Sequence, residues 1–155
     1  MWSATKEAYY QAIWRNDGYP VTLSHTKNTE KISSLVSKMD SFLMVGGPDI
    51  PAKTYNSKNP QLLDPDIMSN EREAFDRAIF LEAMNQNKKI LAVCAGAQHA
   101  NVILGGTLIE DIPTLIKNHV NHGVFNGAAS THAVNTTNKN SLLYKIIQKE
   151  SFNVK

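Results

Sequence analysis

The stretch Lys88–Gly106, KKILAVCAGAQHANVILGG, decides how the rest of the chain is read. Ile90 to Val93 is an apolar run of strand length, suited to a sheet buried on both faces. Cys94, the only cysteine, follows at once, and Ala95, Gly96 and Ala97 after it are all small. Gln98 to Leu104 then has helical spacing, with Ala100, Val102, Ile103 and Leu104 as its expected buried residues, and Gly105 stands where a helix ends. The pattern predicts a strand, a sharp turn and a helix. A nucleophile on such a turn needs small neighbours, because the backbone folds without room for side chains. The free N–H groups at the start of the helix favour a negative charge there. The competing reading is a buried structural cysteine, since free Cys often behaves as a small core hydrophobe.

A second segment supports the nucleophile. Ser41 to Val45 reads as a strand and is closed by Gly46-Gly47-Pro48-Asp49, with Pro51 and Tyr55 beyond. An acidic, Arg-bearing helix follows over Glu71 to Glu82. Then come Cys94-Ala95-Gly96-Ala97-Gln98, Asn101-Val102 and Gly105-Gly106-Thr107-Leu108-Ile109-Glu110-Asp111. In this order and spacing, over residues 40–135, the chain resembles the class I glutamine amidotransferases. It is closest to the branch that hydrolyses gamma-glutamyl-gamma-aminobutyrate and its relatives, the peptidase C26 type. Thiol stress proteins share an elbow cysteine but lack the paired glycine segments.

The resemblance implies a three-layer αβα fold with a mainly parallel sheet, flavodoxin-like in outline. It implies that Cys94 forms a thioester with a small-molecule gamma-glutamyl amide. The backbone N–H groups of Gly47 and Ala95 would form the oxyanion hole, and Gly46 and Gln98 would border the glutamyl group. No cofactor and no metal are implied. Members of this branch often carry arginine directly after the cysteine, and Ala95 departs from that, which leaves the exact substrate open. The family's histidine and its acid would follow the strand that begins at Ser151, past Lys155, and its first strand has no counterpart ahead of the first predicted helix. Two readings follow. One is an amidohydrolase whose histidine and acid are not in these residues; the other is an inactive relative used for binding or assembly. A sheet lacking its first and last strands would have open edges, so pairing with a second copy is expected.

Composition narrows the class. The chain has 155 residues, enough for one domain with a real core. A net charge of +2 is too small to suggest a nucleic-acid surface. A single cysteine excludes an internal disulfide framework and fits a cytoplasmic, reducing setting. No apolar run reaches membrane-spanning length, and Met1-Trp2-Ser3 opens no signal peptide, so no membrane partner is expected.

In chain order, Ala4 to Trp14 reads as a helix with Ala8, Ala12 and Ile13 on one face, stopped by Gly18 and Pro20. Val21 to Leu23 reads as a short strand. Asn28 or Thr29 is placed to cap a helix that buries Ile32, Leu35, Val36 and Met39. Pro48 to Ile67 is a long loop of the kind that often rims a site. Asn70 to Glu73 has capping-box spacing. The helix it opens runs to about Met84 and should bury Ala74, Phe75, Ala78, Ile79 and Leu81, while Glu71, Arg72, Glu73, Asp76 and Arg77 form a solvated, paired face. Thr107 to Ile112 is expected to be extended. His119 and His122 share an i, i+3 spacing without further ligands, which argues against metal. His25 could border the site, whereas His99 is turned away from the start of the elbow helix. Thr131 to Thr136 reads as a strand that includes His132, Ser141 to Gln148 as a helix, and Ser151 to Lys155 as a strand.

Overall fold

A computed structural model describes residues 6–120, 124–125 and 128–154. The chain divides into two compact units, Met1–Glu110 and Asp111–Lys155.

The first unit holds a parallel pair of strands, β1 (Ser41–Met44) and β2 (Lys89–Ala92), in the register Phe42 to Ile90 and Leu43 to Leu91. Two helices cover the Phe42–Ile90 face: α2 (Ile32–Ser37) and α3 (Asn70–Asn85). Ile32, Val36, Phe42, Phe75, Ile79 and Ala83 form the core there, with Leu23, Leu35, Met39, Ala78 and Ile90 packed against it. Burying one such aliphatic or aromatic side chain stabilises by about 1.5–3 kcal/mol, so truncating Phe75 would remove a large part of the core. The opposite face is not buried as the apolar run suggested: Leu91 is 65% exposed. Only alternate residues of β2 meet a covering layer, so the strand is one-sided.

The helices correct several expectations. α3 is capped by the Ser69 hydroxyl, which accepts from the Arg72 N–H at 3.2 Å, so the cap lies one residue before Asn70. Its buried residues are Phe75, Ile79, Phe80 and Ala83, whereas Ala74 and Leu81 face outward. α3 ends with Asn87 at φ 54°, the Lys88 N–H reaching the Ala83 carbonyl and the Asn87 N–H that of Met84, the paired bonds of a left-handed C-terminal cap. α2 has no side-chain cap; Asn28 instead accepts from the Glu30 N–H in a local turn. The first helix, α1 (Glu7–Trp14), leaves Ala8 and Ala12 exposed and half-buries Ile13. Val21–Leu23 forms no strand.

Pro48–Ile67 is ordered by short 3₁₀ turns at Ala52–Thr54 and Pro60–Leu62 and by a parallel bridge between Asp49 and Ile67. Ile50 and Tyr55 from this loop bury against Met68 and Val102, with Leu108 beside them. The elbow helix is α4 (Ala95–Ile103).

The second unit contains a short helix α5 (Ile112–Leu115), two-residue strands β3 (Val124–Phe125) and β4 (Ala128–Ala129), then β5 (His132–Asn135), α6 (Leu142–Ile147) and β6 (Ser151–Val154). α5 begins at the last residue of the Thr107–Ile112 segment expected to be extended, and residues 107–111 ahead of it are not helical; the Asp111 side chain caps it through the Thr114 N–H. β5 and β6 pair antiparallel, His132 opposite Val154, as do β3 and β4. The expected helix over Ser141–Gln148 is present, with Ser141 as its cap. His122 lies outside the described residues.

Candidate functional site at the β2–α4 elbow

Cys94 joins β2 to α4 at φ 53°, ψ −122°, a backbone region that non-glycine residues occupy only under strain. Its side chain is exposed. Two close approaches impose the turn. The Val93 N–H donates to the Met44 carbonyl at 2.9 Å, which ties the end of β2 to the end of β1. Gly96 then passes so near the same carbonyl that a Cβ there would overlap it. The glycine of Cys-x-Gly-x-Gln is thus a packing requirement between α4 and β1.

The first glycine pair meets the elbow directly. A Cβ on Gly46 would stand 3.3 Å from the Cys94 Cβ and 3.6 Å from its sulfur. Gly47 is exposed, and a Cβ on it would overlap Nη1 of Arg72. Ala95 is buried as the first residue of α4. Gln98 is exposed one turn along, its backbone N–H bonded to the Cys94 carbonyl at 3.0 Å and its carboxamide without a hydrogen-bond partner among the described residues. The structure therefore brings Gly46, Cys94 and Ala95 together.

Three further side chains were not among the site residues expected from the sequence. Tyr9 of α1 accepts from the Gly46 N–H at 3.3 Å, and its hydroxyl would lie 3.4 Å from a Gly46 Cβ. Arg72 does not belong to a solvated face. Its Nε bonds Asp76 at 3.2 Å and its Nη2 donates to the carbonyls of Val45 and Gly46 at 3.4 and 3.2 Å. Burial pushes the Asp76 carboxyl above its usual range, against the opposing pull of Arg72. The i, i+4 spacing of Arg72 and Asp76 was the available signal, but periodicity alone does not say which way a charged pair points.

The third is His99, which is 1% exposed. Its Nε2 lies 3.1 Å from Oε1 of Glu73, and Arg77 donates to the same oxygen through Nε and Nη2 at 2.8 and 2.6 Å. Burial raises the Glu73 carboxyl, yet the hydrogen bonds from His99 and Arg77 outweigh it and hold the group below its ordinary value. As Glu73 is the acceptor, the shared proton sits on His99 Nε2. His99 thus fastens α4 to α3. Of the residues expected to be buried on this helix only Val102 is; Ala95, Gly96 and His99 are buried with it, Ala100 and Ile103 are half-buried, and Leu104 is 63% exposed. His25 is half-buried on the side of α3 that carries Glu71 and Asp76.

Behind the elbow, Gly105 at φ 92° ends α4, with the Gly106 N–H on the Asn101 carbonyl at 2.8 Å. A Cβ on Gly106 would overlap the Asn101 carboxamide, which donates to the Thr107 carbonyl at 2.9 Å. This turn delivers Glu110 to the Pro48–Ile67 loop. Glu110 accepts from Ser57 Oγ at 2.5 Å, from the N–H groups of Lys58 and Asn59 at 3.1 and 3.2 Å, and from the Asn59 carboxamide at 3.3 Å. The Ser57 hydrogen bond, with the backbone donors, holds its carboxyl down at about 2. No cluster of three His, Cys, Asp or Glu suited to a metal ion occurs among the described residues, and none of their helices is long and apolar enough to cross a membrane.

Comparison with known proteins places the chain in a family. The model of the peptidase C26 family matches residues 1–155, and the chain belongs to that family of class I glutamine amidotransferase-like proteins. Protein NtpR of Enterococcus hirae is 33% identical over 146 residues, covering 92% of this chain and 59% of the relative. A putative glutamine amidotransferase-like protein of Rickettsia prowazekii, RP404, is 33% identical over 117 residues, 75% of this chain and 40% of its own length. The YvdE homolog of Lactococcus lactis subsp. cremoris, also a putative glutamine amidotransferase-like protein, is 30% identical over 121 residues, 77% of this chain and 62% of the relative. The chain thus spans 40–62% of the length of these curated relatives.

Proposed function

We propose that Cys94 is the nucleophile of an amidohydrolase acting on small gamma-glutamyl amides. The observation that carries this reading is the strained, exposed Cys94 at the start of α4, with Gly46 against its sulfur. In the reaction the Cys94 sulfur bonds to the substrate carbonyl carbon, the C–N bond breaks, and the amine leaves with the electron pair and a proton. Water then cleaves the thioester, releasing glutamate and restoring the thiol. The N–H groups of Gly47 and Ala95 stabilise the tetrahedral oxyanion, each worth about 3 kcal/mol by analogy with other enzymes. Gly46 and Gln98 border the glutamyl group. His99 is bound to Glu73, so the general base is assigned to a residue other than His99, following the Ser151–Val154 strand as in the family. The β1–β2 pair is the nucleus of a three-layer αβα sandwich, which pairs with a second copy at its sheet edge in a reducing, cytoplasmic setting.

The test is to alkylate the protein with iodoacetamide, map the site, and follow amine release from gamma-glutamyl amides in parallel. Rapid modification confined to Cys94 is expected, with turnover in the 155-residue chain lowered by about 10²–10⁴-fold relative to a chain that carries the base. Alkylation no faster than that of a free thiol in solution would remove the nucleophile reading. Rapid alkylation with no amine release from any chain length would leave the binding or assembly role.

A further inference from the structure

We propose that Arg72, steadied by Asp76, is a positioning residue that turns the Gly46 and Gly47 N–H groups toward Cys94; the proposal rests on reading Cys94 as the nucleophile. The carbonyl oxygens of Val45 and Gly46 both accept from Nη2 of Arg72, at 3.4 and 3.2 Å. There is no cis peptide among the described residues, and in a trans unit the N–H points opposite to the C=O. The Val45–Gly46 and Gly46–Gly47 peptides therefore both send their N–H away from the guanidinium. The first shows where that direction leads. The Gly46 N–H meets the Tyr9 hydroxyl at 3.3 Å, and a Cβ on Gly46 would stand 3.6 Å from the Cys94 sulfur. The Gly47 N–H departs from the next peptide toward the same side. Successive N–H groups turned one way make a concavity that accepts a negative oxygen.

The geometry also changes the reason for Gly47. Its φ is not positive, so the backbone does not demand glycine there. The guanidinium does, because a Cβ would overlap Nη1. That end of Arg72 is not free to swing aside: Nε is held by Asp76 at 3.2 Å, and the two side chains are only 21% and 23% exposed. Displacing the guanidinium would release both carbonyls.

The test separates oxyanion stabilisation from thiol access in the 155-residue chain. One probe is a gamma-glutamyl p-nitrophenyl ester, followed as a single burst. The Cys94 sulfur bonds to the acyl carbon, the ester C–O bond breaks, p-nitrophenolate leaves with the pair, and the thiol proton goes to solvent. The other probe is iodoacetamide, whose displacement forms no oxyanion. Arg72→Met is expected to slow the burst by about 10²–10³-fold, the scale for losing an oxyanion donor, with alkylation within threefold of the parent. Arg72→Lys keeps the charge but cannot reach Asp76 and both carbonyls at once, so it should fall between. Gly47→Ala should slow the burst in the parent and add nothing in the Arg72→Met background, because the overlap is then gone. Equal loss with both probes, an unchanged burst in Arg72→Met, or an undiminished Gly47→Ala effect in the double variant would overturn the proposal. If Cys94→Ala leaves the burst intact, the nucleophile reading itself fails, a separate outcome.

Discussion

Gly46-Gly47 and Gly105-Gly106 look the same in sequence and are glycine for different reasons. Neither residue of the first pair has a positive φ; what matters is the space a side chain would take, filled by Cys94 at one position and by Arg72 at the other. In the second pair, Gly105 has nothing within 4 Å of a would-be Cβ but sits at φ 92°, so its requirement is purely conformational. Gly106 returns to the first type, giving room to the Asn101 carboxamide. A glycine in a motif can thus report a neighbour or a torsion, and only the fold distinguishes them. The two demands respond differently to substitution, because space can be restored by trimming the neighbour and a torsion cannot.

The largest effect is expected at the elbow glycine, where the neighbour is backbone and cannot be trimmed. Gly96→Ala should destabilise by about 1–3 kcal/mol, or prevent accumulation of folded protein, as read from the urea midpoint. A loss below about 0.5 kcal/mol would show that α4 stands off β1 in solution. Next is Gly105→Ala, expected to cost about 1–2 kcal/mol through the positive φ, with Gly105→Asn costing less. If Ala and Asn cost the same, the torsion is not what selects glycine there. Gly46→Ala should leave stability within about 0.5 kcal/mol, since its contacts at 3.3–3.6 Å are tight without overlapping, yet slow the alkylation of Cys94. An unchanged alkylation rate would place the glycine farther from the thiol.

The smallest effect concerns what the second pair delivers. The Glu110 carboxyl is lowered in the fold, so its contribution to stability is complete above the ordinary value of 4.5 and fades as the pH falls toward about 2. The Pro48–Ile67 loop should therefore loosen in acid before the β1–β2 core does, and the protection of the Lys58 and Asn59 amides against exchange, corrected for the intrinsic rate, should fall below pH 4.5. Glu110→Gln should speed that exchange at neutral pH. Equal acceleration throughout the first unit would mean that Glu110 does not act locally.

How far the sequence could be read follows from the same contrast. Segments whose instructions are local came through: the elbow at Cys94, the end of α4 at Gly105, the helix α6 and the β5 strand. So did the family, because its motifs are contiguous. What escaped depends on neighbours distant in sequence. Arg72 has the spacing of a surface ion pair, and its approach to Val45 and Gly46 exists only after α3 docks beside β1. That His99 is buried was not legible, because nothing local reveals that Glu73 stands ready to accept its hydrogen bond. The apolar run through Leu91 predicted a strand covered on both sides, yet hydrophobicity cannot say how many layers surround it. On α1, the Ala8–Ala12 spacing marked a face that the fold leaves exposed, while Tyr9 next to Ala8 reaches Gly46.

The torsion at Cys94 carries one more consequence, for the stability of the fold. A strained non-glycine backbone costs about 1–3 kcal/mol, and an exposed cysteine regains little of that through burial. Cys94→Gly should therefore raise the urea midpoint while abolishing reaction with iodoacetamide. Folding alone would drift toward glycine at this position. The sulfur here therefore comes at a cost in stability, as expected where stability and chemistry ask for different residues.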